Sequence, residues 1–163
     1  MLDAMSVETM EIGDAITKVL KLHDSERHCN VQHIRDWYAD VYDSSDKSSV
    51  HSILRTNPAY AGLTHPMKKT ACGQWEPDFE YRYLTEDIPF GLCVIKGLAE
   101  LTGVETPAVD KVLRWAQRMM RKEYICPKTL QGCGEDMAET RAPGAFGLRS
   151  LPEILSSFYG KAL

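Results

Sequence analysis

Two amphipathic helical stripes joined by a very short break constrain this chain more than any other feature. From Asp87 or Ile88 to Thr102, Leu92, Ile95, Leu98, Ala99 and Thr102 fall on one side of a helix, and Gly103 supplies the stop. Thr106-Pro107 then opens a second helix, threonine as the cap and proline at the first helical position. Its stripe of Val109, Val112, Leu113, Ala116, Met119 and Met120 closes in the basic turn Arg121-Lys122. Trp115, Met119 and Met120 read as core packing along that stripe. The pair is a helical hairpin, and a chain built around it needs further helices to cover its apolar faces.

Those helices are legible on both sides. Met10, Ile12, Ile16, Val19 and Leu20 keep helical spacing from Ser6 to about His23, with Ser6, Glu8 and Thr9 as the N-terminal signal. Ile34, Trp37, Tyr38 and Val41 repeat the pattern over Val31 to Tyr42. A short helix over Ser49 to Arg55 stops before Asn57-Pro58, because the residue before a proline avoids the helical region. A last one runs from Ser150 to Tyr159 and is stopped by Gly160. Between residues 57 and 80, Pro58, Gly62, Pro66, Gly73 and Pro77 recur too often for any regular element, which makes a long loop fit to line a binding cleft. No segment alternates apolar and polar residues over any length. The expected fold is all-α, a single bundle domain of five to six helices over residues 1–163.

Composition excludes several classes. Nineteen Lys and Arg against 23 Asp and Glu give a net charge of -4 with interspersed signs, which argues against nucleic acid or an anionic membrane as partner. No apolar run approaches the roughly 20 residues that a membrane span needs. The five cysteines, Cys29, Cys72, Cys93, Cys126 and Cys133, are odd in number and irregular in spacing, which predicts reduced thiols and a cytoplasmic protein. The cluster His23, His28, Cys29 and His33 lacks a downstream partner pair, and the Cys126 to Cys133 spacing matches no usual zinc site, so no metal is expected. The abrupt helical start suggests that the chain belongs to something longer. No Gly-x-Gly-x-x-Gly turn or βαβ unit is present to hold a dinucleotide, so no cofactor-binding residue is expected on this chain.

One stretch remains, Arg82-Tyr-Leu-Thr-Glu-Asp-Ile-Pro89. Structurally, Asp87 caps the following helix and Arg82 pairs with it. Functionally, Arg82 offers a bidentate fork to a substrate carboxylate while Asp87 orients an amine or a general acid. The basic ridge Arg114, Arg118 and Arg121 reads as a solvated face.

The run Tyr83-Leu-Thr-Glu-Asp-Ile-Pro-Phe-Gly-Leu, followed by Leu101-Thr-Gly-Val-Glu-Thr-Pro-Ala-Val-Asp110, resembles the helical domain of octopine and nopaline dehydrogenases. Asn57-Pro-Ala-Tyr60-Ala-Gly and Glu139-Thr-Arg-Ala-Pro143 resemble flanking segments in the same order, so the resemblance covers most of the chain from residue 31. It implies an oxidoreductase that joins the amine of an amino acid to a 2-oxo acid and reduces the imine with NADH or NADPH. It also implies an N-terminal Rossmann domain, absent from this chain, which holds the NAD or NADP. By the same resemblance Arg82 binds substrate carboxylate and Asp87 serves as catalytic proton relay or amine orienter, and the chain alone is not expected to turn over. The family's Asn-x-x-x-His-Pro motif is not matched by His65-Pro66, since Ala61 stands four residues before His65. The rival expectation is a non-catalytic helical module that forms a homodimer through the face turned to the missing domain.

Overall fold

The computed structural model describes residues 1–21 and 31–159; His23, His28, Cys29 and Gly160, singled out above, lie outside them. The described residues form the α-helices α1 (Leu2–Val19), α2 (Ile34–Val41), α3 (Val50–Thr56), α4 (Arg82–Asp87), α5 (Cys93–Thr102), α6 (Pro107–Met120) and α7 (Leu151–Tyr159). The all-α expectation holds, with one small exception inside the long loop. There β1 (Met67–Lys69) and β2 (Trp75–Pro77) pair antiparallel, Met67 opposite Pro77 and Lys69 opposite Trp75. Three-residue strands are too short for alternation to be legible. Their turn is made by Thr70, whose Oγ1 accepts the Gln74 N–H at 3.0 Å, and by Gly73 at φ 84°.

The hairpin of α5 and α6 forms as its sequence dictates. Gly103 closes α5 in the left-handed conformation at φ 72°, and Arg121 does the same for α6 at φ 55°. Val109, Leu113 and Ala116 are fully buried and meet Ile88, Cys93, Tyr124, Ile125 and Met137 in the core. Met120 packs against that cluster, but Trp115 and Met119 are 38% and 40% exposed, so they are not core residues as expected. They lie one turn apart on the flank of α6, where Phe79 packs edge-on against Trp115 with ring centroids 5.0 Å apart. Arg114, Arg118 and Arg121 are exposed, as a solvated ridge should be.

The caps are distributed differently from what local sequence suggests. Thr106 precedes α6 but makes no side-chain capping bond. The cap comes from α1: Glu8, 6% exposed, accepts the N–H groups of Ala108 at 2.6 Å and Val109 at 3.0 Å. Ser6 does not start α1, which already runs from Leu2; its Oγ accepts the Ile34 N–H at 2.8 Å at the start of α2. His33, from the histidine and cysteine cluster for which no metal is expected, caps α2 by accepting the Arg35 N–H at 3.2 Å. Ser49, expected as the first residue of the short helix, instead precedes it as a cap, accepting the Ser52 N–H at 3.0 Å ahead of α3. Helix α1 packs against α2, α5 and α6 and carries caps for two of them.

Behind α6 the chain winds through two 3-10 turns, Glu135–Glu139 and Pro143–Phe146, onto α5. Buried Gln117 holds the start of this segment, donating to the Ile125 carbonyl at 3.2 Å and accepting the N–H groups of Tyr124 and Ile125 at 3.2 and 3.0 Å. A Cβ at Gly134 would meet the Glu123 carbonyl oxygen at 1.9 Å, so only glycine fits there. Lys96 of α5 and Asp110 of α6 form a 2.9 Å ion pair with both side chains 9% exposed.

Glu8→Ala strips the two α6 N–H groups of their shared acceptor and should lower unfolding free energy by about 2–3 kcal/mol in urea titration, against about 1 kcal/mol for Ser6→Ala. Lys96→Met should cost more, about 3–5 kcal/mol, because Asp110 is then left as an uncompensated buried charge, and adding Asp110→Leu should recover most of that loss.

Candidate functional site

Arg82 and Asp87 sit at the two ends of α4 rather than ahead of a helix, since helical structure begins at Arg82 and not at Asp87. Pro89 explains both the expectation and its failure. It has no N–H to return to the turn before it, so an α-helix cannot pass through unchanged. The chain widens instead into a π-turn over Ile88–Leu92 and continues directly into α5. Ile88 and Pro89 are buried in this kink. The Pro89 carbonyl oxygen accepts the Arg141 N–H at 3.3 Å, which ties the segment Glu139–Pro143 to the kink.

The expected pairing of Arg82 with Asp87 is not formed. Arg82 Nη2 bonds Glu86 Oε2 at 3.3 Å, with side chains 68% and 51% exposed. Residues four apart share a helix face, whereas the fifth lies about 140° further round, so Glu86 and not Asp87 is within reach. Asp87 makes no side-chain capping bond either and is exposed. Both residues therefore turn away from the core at a buried, proline-made kink.

Around them lie groups that sequence reasoning did not assign. Tyr83, stacked edge-on with Tyr81 at 4.9 Å, lines a cleft of about 750 Å³ with His51, Arg55, Tyr60, Leu63 and His65. The long loop thus does line a cleft, and α3 supplies its basic wall from His51 and Arg55, which are four apart and both exposed. That spacing was the available signal. Tyr60 donates its hydroxyl to the Tyr42 hydroxyl at 2.7 Å, and this bond with burial pushes the Tyr60 phenol up to about 12, so it stays protonated. On the other side of the kink, the Arg141 guanidinium lies 5.7 Å over the Phe90 ring. Arg82 and Asp87 do not line the cleft that Tyr83 and Arg55 share, and Arg141 meets the kink through Phe90.

A dinucleotide fold is not what the described residues form: their one sheet is the two-stranded antiparallel hairpin. The N-terminus of α6, which could otherwise take an anion, is filled by Glu8. Among the described residues no cluster of three or more His, Cys, Asp or Glu is placed to hold a metal, and no helix is long and apolar enough to cross a membrane.

Comparison with known proteins gives one family. The family model for the alpha-helical domain of NAD/NADP octopine/nopaline dehydrogenase matches residues 1–120. A tauropine dehydrogenase of Arabella iricolor is 43% identical over 157 residues, covering 95% of this chain and 38% of the relative. The octopine dehydrogenase of Pecten maximus is 39% identical over 158 residues, covering 96% of this chain and 38% of the relative. A solved octopine dehydrogenase in complex with NADH and agmatine superposes with a TM-score of 0.84 at 38% identity, over 96% of this chain and 38% of that one. The chain therefore spans 38% of the length of these relatives.

Because neither residue at the kink supports the fold through a buried bond, Asp87→Asn and Arg82→Gln should each change unfolding free energy by no more than about 0.5 kcal/mol. Thermal and urea denaturation of the two variants checks this.

Proposed function

Because the chain belongs to the NAD/NADP octopine/nopaline dehydrogenase family as its alpha-helical domain, we propose that it is the substrate-binding domain of an NAD(P)H-dependent oxidoreductase acting on CH–NH bonds. The reaction condenses the amine of an amino acid with a 2-oxo acid, releasing water, and reduces the imine to a secondary amine. A separate nucleotide-binding domain holds the cofactor, whose reduced nicotinamide supplies the hydride. The observation that carries the reading is the α4 kink, where Arg82 and Asp87 are presented to solvent beside a π-turn anchored by buried Ile88 and Pro89.

Each group has a defined task. Arg82, held loosely by exposed Glu86, can exchange that carboxylate for one on the substrate and so fix its orientation through two parallel N–H···O bonds. Asp87, at the far end of the same short helix, offers a carboxylate to the substrate ammonium and accepts a proton as the amine becomes nucleophilic. Holding both reactants in one geometry converts their condensation into an effectively unimolecular step. A domain that supplies only these contacts leaves the reacting atoms open to water, so the isolated chain is not expected to turn over.

Three measurements bear on this. Calorimetry with NADH and the isolated chain should give no saturable binding in the micromolar range. In a full-length protein that joins this domain to a nucleotide-binding domain, Arg82→Lys keeps the charge but loses the fork, and kcat/KM should fall about 10²-fold or more, equal to about 3 kcal/mol. The loss should appear in KM for the amino acid or oxo acid; a loss confined to KM for the cofactor would assign Arg82 to the pyrophosphate instead. Asp87→Asn should melt with its parent yet lose most activity, and parental kcat/KM in that variant would remove Asp87 from the chemistry.

A further inference from the structure

The loop that follows α6 brings two thiols together. Cys126 donates its N–H to the Gln131 carbonyl at 2.8 Å and accepts the Leu130 N–H at 2.8 Å, while Cys133 donates its N–H to the same Gln131 carbonyl at 2.9 Å. Leu130, at φ 59°, takes the left-handed conformation that turns the chain back. The loop is therefore closed on itself, and the backbone N–H groups of Cys126 and Cys133 converge on one carbonyl oxygen, which sets the two residues side by side. Cys133 is exposed and Cys126 is half-buried, so solvent reaches the pair. A metal is a poor explanation: a structural zinc site needs four ligands, and among the described residues no third donor joins the two sulfurs.

We propose that Cys126 and Cys133 form a redox-active dithiol, a modification site that exchanges with low-molecular-weight disulfides, Cys126 attacking and Cys133 resolving. In the first step the Cys126 thiolate attacks one sulfur of a small disulfide RSSR, forming a mixed disulfide and releasing one RS⁻. Cys133 then loses its proton to solvent and its sulfur attacks the Cys126 sulfur, expelling the second RS⁻, and both leaving thiolates take up protons. In total RSSR is reduced to two RSH while the two protein thiols are oxidised to one disulfide, so electrons and protons balance.

The surroundings of each thiol assign these roles. Hydrogen bonds from the Thr129 hydroxyl, then from the Thr129 and Lys128 N–H groups, hold Cys126 at about 7, so a large fraction is thiolate at neutral pH. Burial pushes Cys93 up to about 12, which makes it a spectator. Cys72 is also exposed and lowered, first by the Thr70 hydroxyl at 3.1 Å, but its near partner is an alcohol, which cannot resolve a mixed disulfide. Cys72 is thus an internal comparison. The site also borders the fold's buried charges, because Gly132, next to Cys133, donates its N–H to Glu100 at 2.6 Å, and Glu100 lies 3.9 Å from Lys96.

The test is to treat the 163-residue chain with oxidised glutathione at neutral pH and map tryptic peptides without reduction. Cleavage after Lys128 separates the two cysteines, so a disulfide appears as a cross-linked peptide pair that parts on reduction. The expected result is that pair, with no glutathione on either cysteine, and glutathione retained on Cys72. Cys133→Ser should trap glutathione on Cys126, and Cys126→Ser should slow modification of Cys133 by about tenfold or more. Should a variant fail to fold, iodoacetamide labelling of the unaltered chain decides, since Cys126 should reach half its maximal rate near pH 7. Separate glutathione adducts on Cys126 and Cys133, free thiols at both while Cys72 reacts, or a labelling midpoint for Cys126 at the ordinary thiol value would each overturn the proposal.

Discussion

Two backbone N–H groups at the start of α6 have no acceptor in their own part of the chain, and the carboxylate of Glu8 supplies one from 100 residues away. Helix starts leave such donors orphaned, and a buried one left unpaired is costly. Meeting this demand fixes where α1 lies, because a glutamate side chain reaches only a few ångströms from its helix. With α1 set along α5 and α6, Ser6, half a turn away, falls against the start of α2 and fixes that helix in turn. The geometry ties the elements together: α1 anchors the starts of both α2 and α6, and the α5 and α6 hairpin is closed by the Lys96 and Asp110 pair.

The same dependence explains how much of the fold could be read in advance. Helices with strong stripes, α1, α2, α5, α6 and α7, were legible because periodicity is a local property. Ser49, which reads in the sequence as the first residue of its helix, caps α3 through a local bond. Ser6 and Glu8 look like the beginning of their own helix, and nothing in their neighbourhood indicates that they serve α2 and α6. The β1 and β2 hairpin escaped notice because its pairing involves three residues on each side and a turn made by a threonine hydroxyl. Trp115 was assigned to the core because it is large and apolar, yet it stands on the flank of the α6 stripe.

The candidate site was legible as a motif and not as a geometry. A proline such as Pro89 marks a break in a helix without saying whether the chain ends there or passes through. The π-turn passes through it, which moves Asp87 from the front of one helix to the back of another. Family membership, established over residues 1–120, includes this stretch. Arg55 and His51 reach the neighbourhood of Tyr83 through tertiary folding, with only their spacing of four as a signal, whereas Arg141 belongs to the Glu139–Pro143 segment and reaches Phe90.

The π-turn has a consequence for how such a domain can vary. By taking one residue more per turn than an α-helix, it sets the angular phase of α4 against α5, and each added or removed residue in α4 would rotate Arg82 by about 100° about the axis. Side chains in this stretch can be exchanged while the surface keeps its direction. Its length cannot change without turning Arg82 toward a different quarter of the molecule, so a loop insertion in the 57–80 region should be tolerated where a single insertion between Arg82 and Pro89 is not.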